Sequence, residues 1–341
     1  MIRFSRRTAL SLAMLAGFAG PTSAAEVVNI YSYRQPPLID PLLQRFTAET
    51  GIETRVVFAE NGLVERMVQE GANSPVDVLL TADVGRLVEA ADRGVAQPVE
   101  SAFINSKVPA NLRDENNQWF GLTMRGRVVY ASNDRVKQDR FTYEELADPK
   151  WKGKICTRPG NHPYNLALIA AMIAHKGEAD AKKWLEGLKA NLAIKPAGND
   201  RAQAKSVFAG ECDVAIANTY YMGLMMTNEK EPEQKDWAKS ARIIFPTFED
   251  GGTQVNISGM LLAKNAPNKD NALKLMEFLA SDEAQRLYAE GNFEYPVNPK
   301  VPAAEIVRAW GSFTPDTLHV ADLAKYQSQA SRLVDEVQYN D

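Results

Sequence analysis

The stretch VVNIYSYRQPPLIDPLLQRF, Val27 to Phe46, holds a complete strand–helix unit, and its reading decides the fold. The β-branched opening Val27-Val28-Asn29-Ile30-Tyr31 reads as a strand, and Leu38, Ile39, Leu42, Leu43 and Phe46 then recur at helical spacing. Gly51 stops that helix. The pattern repeats twice more. Thr54 to Phe58 predicts a strand, followed by a helix face of Leu63, Val64, Met67 and Val68 with Gly71 behind it. Val76 to Leu80 predicts the next strand, and the helix over Val84 to Arg93 is ended by Gly94. Three such units in succession imply an α/β fold on a parallel sheet with right-handed crossovers.

A second α/β series begins near Trp151. It predicts a strand over Lys154 to Thr157, helices over Asn165 to His175 and Ala179 to Ala190, and a strand around Ile194. A helix over Ala202 to Ala209 and a strand over Asp213 to Ala217 complete it. Gly121 to Tyr130 lies between the two series and Thr253 to Leu262 follows the second; both read as long strands passing between lobes. Two crossings make a hinge. The first lobe is therefore expected to hold residues 26–125 plus 253–298, and the second residues 126–252 plus 299–341. Each is expected to be a mostly parallel sheet flanked by helices. Length agrees, because about 316 residues after a leader exceed what one hydrophobic core usually serves.

The leader is Met1 to Ala25, with Arg3, Arg6 and Arg7, then an apolar run through Gly20, then the small-residue pattern Ser23-Ala24-Ala25. Ser5-Arg6-Arg7-Thr8-Ala9-Leu10 resembles the twin-arginine export motif, with Ala9 at the usual Phe and Ser11 at the usual Lys, so Sec and twin-arginine routes both stay open. Beyond the leader no apolar stretch approaches the roughly 20 residues of a membrane span, so no direct membrane insertion is expected. The whole chain carries 39 Lys and Arg against 43 Asp and Glu, and three of those arginines belong to the leader. An acidic mature chain has no charge pattern for nucleic acid or an anionic membrane. In an oxidising compartment its two cysteines, Cys156 and Cys212, form one disulfide or stay as two buried thiols.

Ligands of open α/β sheets bind outside the carboxyl ends of the strands. In the first lobe that rule selects Tyr33-Arg34-Gln35-Pro36, Ala59-Glu60-Asn61-Gly62 and Thr81-Ala82-Asp83. In the second it selects the loop Gly160 to Asn165, Gly198-Asn199-Asp200-Arg201 and Thr219-Tyr220-Tyr221. Three tyrosines, Tyr164, Tyr220 and Tyr221, thus fall on one edge. A phenolate oxygen is a hard anionic ligand, which makes Fe3+ the candidate cargo. A buried tyrosine more commonly supplies bulk with a satisfied hydroxyl, and Tyr220 and Tyr221 share a ligand only if the chain turns from strand to helix between them. Three phenolates at neutral pH cost roughly 12 kcal/mol from an ordinary pKa near 10, so only a highly charged cation at the site offsets them. About half of an octahedral shell then remains for carbonate, a similar small anion, or water.

An anion needs donors. Tyr33, Arg34 and Gln35 of the first lobe and Arg125 of the crossing strand are the candidates, with Arg125 favoured over Arg127 because Gly126 beside it allows close approach. His175 and His319 read as structural; His162 and Glu60 are secondary candidates for the site. No GxSxG, HExxH, GxxxxGK[ST] or GxGxxG motif is present, so nothing in the chain points to an enzyme.

Asn29-Ile30-Tyr31-Ser32-Tyr33-Arg34-Gln35, Thr157-Arg158-Pro159-Gly160-Asn161-His162-Pro163-Tyr164-Asn165 and Asn218-Thr219-Tyr220-Tyr221 carry a resemblance over essentially the whole mature chain. It resembles the periplasmic ferric-iron-binding proteins of bacterial iron(III) ABC importers, within the solute-binding protein superfamily. That resemblance implies the two-lobe type II periplasmic binding protein fold and a monomer that docks on a membrane permease with its ATPase and catalyses nothing. Many relatives use a first-lobe histidine just after the opening strand as a further ligand. Here the place is Gln35, followed by Pro36 and Pro37, so the chain is similar to the subgroup in which Tyr164, Tyr220 and Tyr221 hold the metal and an anion completes the shell. The rival expectation is a solute-binding protein for an organic or oxyanion ligand without metal.

Overall fold

The computed structural model describes residues 26–341; the export leader expected over residues 1–25 lies outside the described residues. The opening unit forms as its pattern dictates. Strand β1 (Val27–Ser32) leads into α1 (Pro36–Thr50), which buries Ile39, Leu42, Leu43 and Phe46. The helix ends at Gly51, whose φ of 75° is left-handed and whose amide bonds the Thr47 carbonyl. Next come β2 (Glu53–Phe58), α2 (Leu63–Glu70), β3 (Val78–Thr81) and α3 (Val84–Asp92). β1 pairs in parallel with both β2 and β3. The third strand starts two residues later than its hydrophobic run. There the fully buried Asp77 carboxylate accepts from the Asn29 and Asn268 amides, at 2.7 Å each, in place of ladder carbonyls.

After β4 (Ala96–Gln97) and α4 (Ala102–Lys107) the chain enters β5 (Phe120–Ser132), a 13-residue strand. The second series follows as β6 (Ile155–Cys156), α5 (Pro163–Lys176), α6 (Glu178–Ala190), α7 (Asp200–Ala209) and β7 (Val214–Asn218). It continues through α8 (Tyr220–Met226), α9 (Glu233–Ser240) and β8 (Ala241–Ile244) to β9 (Val255–Ala263). The strand expected around Ile194 does not form: only Leu192 makes an isolated bridge to Ile155, and Ile194 is exposed. Pro196, two residues on, has no amide to donate to a ladder.

The strands join in the order β2-β1-β3-β9-β5-β7-β6. The sheet is less parallel than the strand–helix units suggest. Parallel pairs are confined to β2-β1-β3 and β6-β7, whereas β9 runs antiparallel to β3 and β5, and β5 antiparallel to β7 and β8. The cause is connectivity: one strand carries the chain out of the first series and the other brings it back, so the two lie side by side in opposite directions. β5 pairs with β9 up to Gly126 and with β7 from Arg127 onward, so its partner changes between those two residues. Close approach requires glycine at position 259, where a Cβ would fall 2.6 Å from the Phe120 carbonyl oxygen.

The C-terminal part runs through α10 (Lys269–Ala280), α11 (Asp282–Asn292), β10 (Tyr295–Pro296), α12 (Glu305–Arg308), α13 (Asp322–Lys325) and α14 (Gln327–Glu336). The last two pack on α5, and α14 also reaches α6. Among the described residues no helix is long and apolar enough to cross a membrane.

Cys156 of β6 and Cys212, two residues before β7, are bonded to each other with Cα atoms 5.9 Å apart. The bond closes a loop over a sequence separation of 56. By loop entropy such a closure contributes about 4 kcal/mol. A Cys156→Ser, Cys212→Ser double variant is therefore expected to unfold at markedly lower urea, with the wild type under reductant following it; coincident unfolding curves for oxidised wild type and variant would contradict this.

Candidate metal centre

Two helix starts place the three tyrosines. α5 opens at Pro163, a residue preorganised for a first helical turn, and His162 caps it by accepting the Tyr164 amide on Nδ1 at 3.2 Å. Tyr164 thus sits in the first turn, where the helix dipole favours a negative oxygen. β7 ends at Asn218 and α8 begins at Tyr220, which is the strand-to-helix turn that lets neighbouring tyrosines face one ligand. The Tyr164 and Tyr220 hydroxyls lie 3.1 Å apart, and the Tyr220 and Tyr221 rings stack with centroids 4.3 Å apart. For comparison, an octahedron with cation–oxygen distances of roughly 2.0–2.1 Å has an edge of about 2.9 Å.

Burial, then the neighbouring Tyr164 and Tyr221 and the Asp200 carboxylate, push the Tyr220 hydroxyl well above the usual phenol range. Burial does the same to Tyr221, with Tyr164 and Asp200 adding to it. Without a cation these two are phenols throughout the neutral range. The cluster is chemically unfinished: oxygen donors have been gathered, and their ionisation awaits positive charge.

Beneath the tyrosines lies a buried ionic cluster. Asp200, fully buried in the first turn of α7, accepts from Arg127 at 2.9 Å and the Asn218 amide at 2.8 Å on one oxygen, and from Arg158 at 3.1 Å on the other. Arg127 also donates to Asn165 at 2.7 Å and to Asn218 at 3.1 Å. Arg158 and Arg125 stand 5.0 and 5.7 Å from the Tyr164 ring centre, and Arg201 stands 5.1 Å from that of Tyr221. Burial, then Arg158 and Arg127, lower the His162 pKa to about 3, so its imidazole is neutral. It meets Tyr164 edge-on, with centroids 4.6 Å apart, and Nδ1 is already used by the cap.

The first-series candidates are placed less directly. Arg34 is buried and engaged: Nε donates to the Tyr288 hydroxyl at 2.6 Å, and Nη2 to Glu294 at 2.5 Å. Burial works against the Glu294 carboxylate, yet Arg34 and Arg125 hold it below its usual range. The Tyr33 hydroxyl accepts the Val64 amide at 2.9 Å, and Arg86 covers its ring at 3.9 Å. Gln35 and Glu60 are exposed, and Gln35 flanks the start of α1 without a side-chain bond to it. Arg125 differs from the others. Its side chain is 2 % exposed, Nη2 donates to the Ala82 carbonyl, and Nη1 has no partner among the described residues. That is an unspent donor next to Tyr164. A cavity of about 460 Å³, lined by Ala82, Asp83, Arg86, His162, Tyr164 and Gln327, opens on the same side.

Asp200 and Arg158 were not among the residues singled out by chemistry. Their signal is positional: Asp200 falls in the segment Gly198 to Arg201 that the cleft rule selects, and Arg158 in the stretch Thr157 to Asn165 that carries the resemblance. The two other histidines stand apart: His175 lies 3.0 Å from Asp250 and 2.8 Å from Asp316, and His319 accepts the Ala321 amide. Among the described residues no group of three or more His, Cys, Asp or Glu is disposed to hold a metal.

Comparison with known proteins identifies the family and the fold. Residues 73–309 match the profile of a family described as bacterial extracellular solute-binding protein. The chain is 43% identical to iron uptake protein A2 of Synechocystis over 334 residues, covering 97% of this chain and 95% of that one. A solved structure of Mannheimia haemolytica ferric iron-binding protein A, in an open conformation, superposes with a TM-score of 0.88 at 50% identity, covering 93% of this chain and all of that one. A Trichodesmium protein in complex with iron and citrate ligands superposes with a TM-score of 0.87 at 42% identity, over 92% of this chain and 99% of that one. These matches establish the two-lobe type II binding-protein fold.

Proposed function

The chain belongs to the bacterial extracellular solute-binding protein family, and from that premise we propose that it binds Fe3+ through the phenolates of Tyr164, Tyr220 and Tyr221. The observation that carries this reading is the convergence of the three side chains, with two hydroxyls 3.1 Å apart at the starts of two helices. Relatives named for iron uptake and ferric iron binding support the choice of cation. The site lies where β5 and β9 run between the two series, which fits a cleft closing by hinge motion. In this reading the lobes divide at residues 125/126 and 252/253, with the last part of the second lobe starting at residue 299.

A small oxyanion, carbonate or a similar one, completes the shell on the Arg125 side, where Nη1 has no partner among the described residues. Arg34 acts one layer back by neutralising Glu294, and Tyr33 by fixing the start of α2. Gln35, being exposed, reaches the anion only when the lobes close. The protein works in the periplasm as a monomer, handing Fe3+ to an ABC permease and its ATPase.

Colour tests the proposal. Ferric phenolates absorb in the visible by charge transfer, so protein mixed with ferric citrate and bicarbonate is expected to turn coloured, with a band that saturates near one iron per chain. An iron-loaded sample without a visible band would refute tyrosinate ligation and leave a solute-binding protein for a metal-free ligand.

A further inference from the structure

The tyrosines occupy starts of two separate helices, so something must hold those starts in mutual register. Three connections meet at one buried carboxylate. Asp200 bonds Arg127 of β5, Arg158 of the loop before α5, and the Asn218 amide at the end of β7. Arg127 in turn holds Asn165, next to Tyr164, while Asn218 lies two residues before Tyr220. Asn165 also donates to Thr157 at 3.0 Å and to the Arg158 carbonyl at 2.8 Å, closing the loop that carries Tyr164. Asp200 is fully buried, and the side chains of Arg127 and Arg158 are 1 % and 9 % exposed. The Nε atoms of both arginines lack partners among the described residues.

We infer that Asp200 is the positioning residue of the tyrosine site, clamping the helix starts that carry Tyr164 and Tyr220–Tyr221 onto the crossing strand β5. This rests on the ferric-tyrosinate reading above. The physical case has two parts. Geometrically, Asp200 is the common partner of segments 42 and 73 residues distant through its arginines and 18 residues distant through Asn218. Electrostatically, it is the carboxylate lying between two buried guanidiniums. Replacing it by a neutral amide of the same shape would leave two uncompensated cations beside the place a trivalent ion must enter. Outer partners of ligand-bearing segments typically influence metal affinity by about 10–100-fold.

The test compares wild type, Asp200→Asn, Asp200→Glu and Arg158→Lys, with His175→Ala as a control for general loosening of the second series. Each is titrated with ferric citrate and bicarbonate while the visible band is recorded, and iron-free samples are followed by amide hydrogen exchange. Asp200→Asn is expected to bind iron about 10–100-fold more weakly, with its band displaced at saturation. Its Asn218 and Tyr164 amides should exchange at least about tenfold faster without iron. Asp200→Glu should recover part of each effect, and His175→Ala should keep the wild-type band. Wild-type affinity, band and exchange in Asp200→Asn would overturn the inference while leaving tyrosinate ligation intact. A colourless wild type would instead overturn the ferric reading, and the exchange arm then decides the clamp alone. Should Asp200→Asn not fold, Arg158→Lys, which keeps charge but loses the planar fork, carries the test: unchanged iron affinity and Tyr164 exchange would overturn the inference.

Discussion

Tyr220→Phe is expected to weaken ferric iron binding by about 10²–10³-fold while leaving the fold intact. Structural metal sites release on the order of 10–16 kcal/mol over four ligands, or about 3 kcal/mol and more for each. At 1.4 kcal/mol per factor of ten, one lost phenolate reaches that range. The substitution removes a single oxygen, which lies 3.1 Å from the Tyr164 hydroxyl. It retains the ring that stacks on Tyr221. Loss of affinity would therefore report ligation and not misfolding. Tyr164→Phe and Tyr221→Phe should behave alike, whereas His175→Ala, whose imidazole is taken up by Asp250 and Asp316, should bind nearly as wild type. Chelator competition measures all four. Equal losses across the set would remove the tyrosines from their assigned role.

Acidification is the second large effect. Burial holds the Tyr220 and Tyr221 hydroxyls above their ordinary pKa, so in the iron-free protein both keep their protons through the neutral range. Coordination by three phenolates replaces three protons with one cation. The sign follows directly: lowering pH supplies the competing proton, so affinity falls as pH falls, by up to about 10³ per pH unit for three exchanged protons. Proton release on adding a ferric chelate, counted with an indicator in weak buffer and corrected for the chelator, should approach three per iron. A count near zero would mean that the tyrosines bind as neutral groups or not at all.

Much of this architecture was legible along the chain because its signals are local. The stripe Ile39, Leu42, Leu43 and Phe46 is the buried face of α1, and Gly51 ends it with the positive φ that glycine adopts without strain. The Tyr220–Tyr221 turn was legible too, since an apolar strand run followed by helical spacing must bend between them. Ile194 shows the limit of such inference: a β-branched residue near a short strand looks like sheet, yet a single bridge at Leu192 and a proline at 196 leave no ladder to join. Arg34 shows another limit. As a sequence element it is a cationic fork near the cleft; in the folded chain Glu294, 260 residues away, has already claimed it.

The amino-acid sequence by itself determined the strand–helix units, the two long crossing strands, and the three tyrosines on one edge. Periodicity and turn chemistry act within a few residues of chain, so they can be read without a fold. Only the tertiary structure decided which charges meet: Asp200 with Arg127 and Arg158, Arg34 with Glu294, and Arg125 with an Nη1 that has no partner among the described residues. It also decided that the crossing strands pair antiparallel and that the Tyr164 and Tyr220 oxygens come within 3.1 Å. The physical reason is common to all of these. A side chain's pattern specifies which face it occupies, whereas its electrostatic partner is whatever distant segment the packing brings opposite, and nothing local encodes that choice.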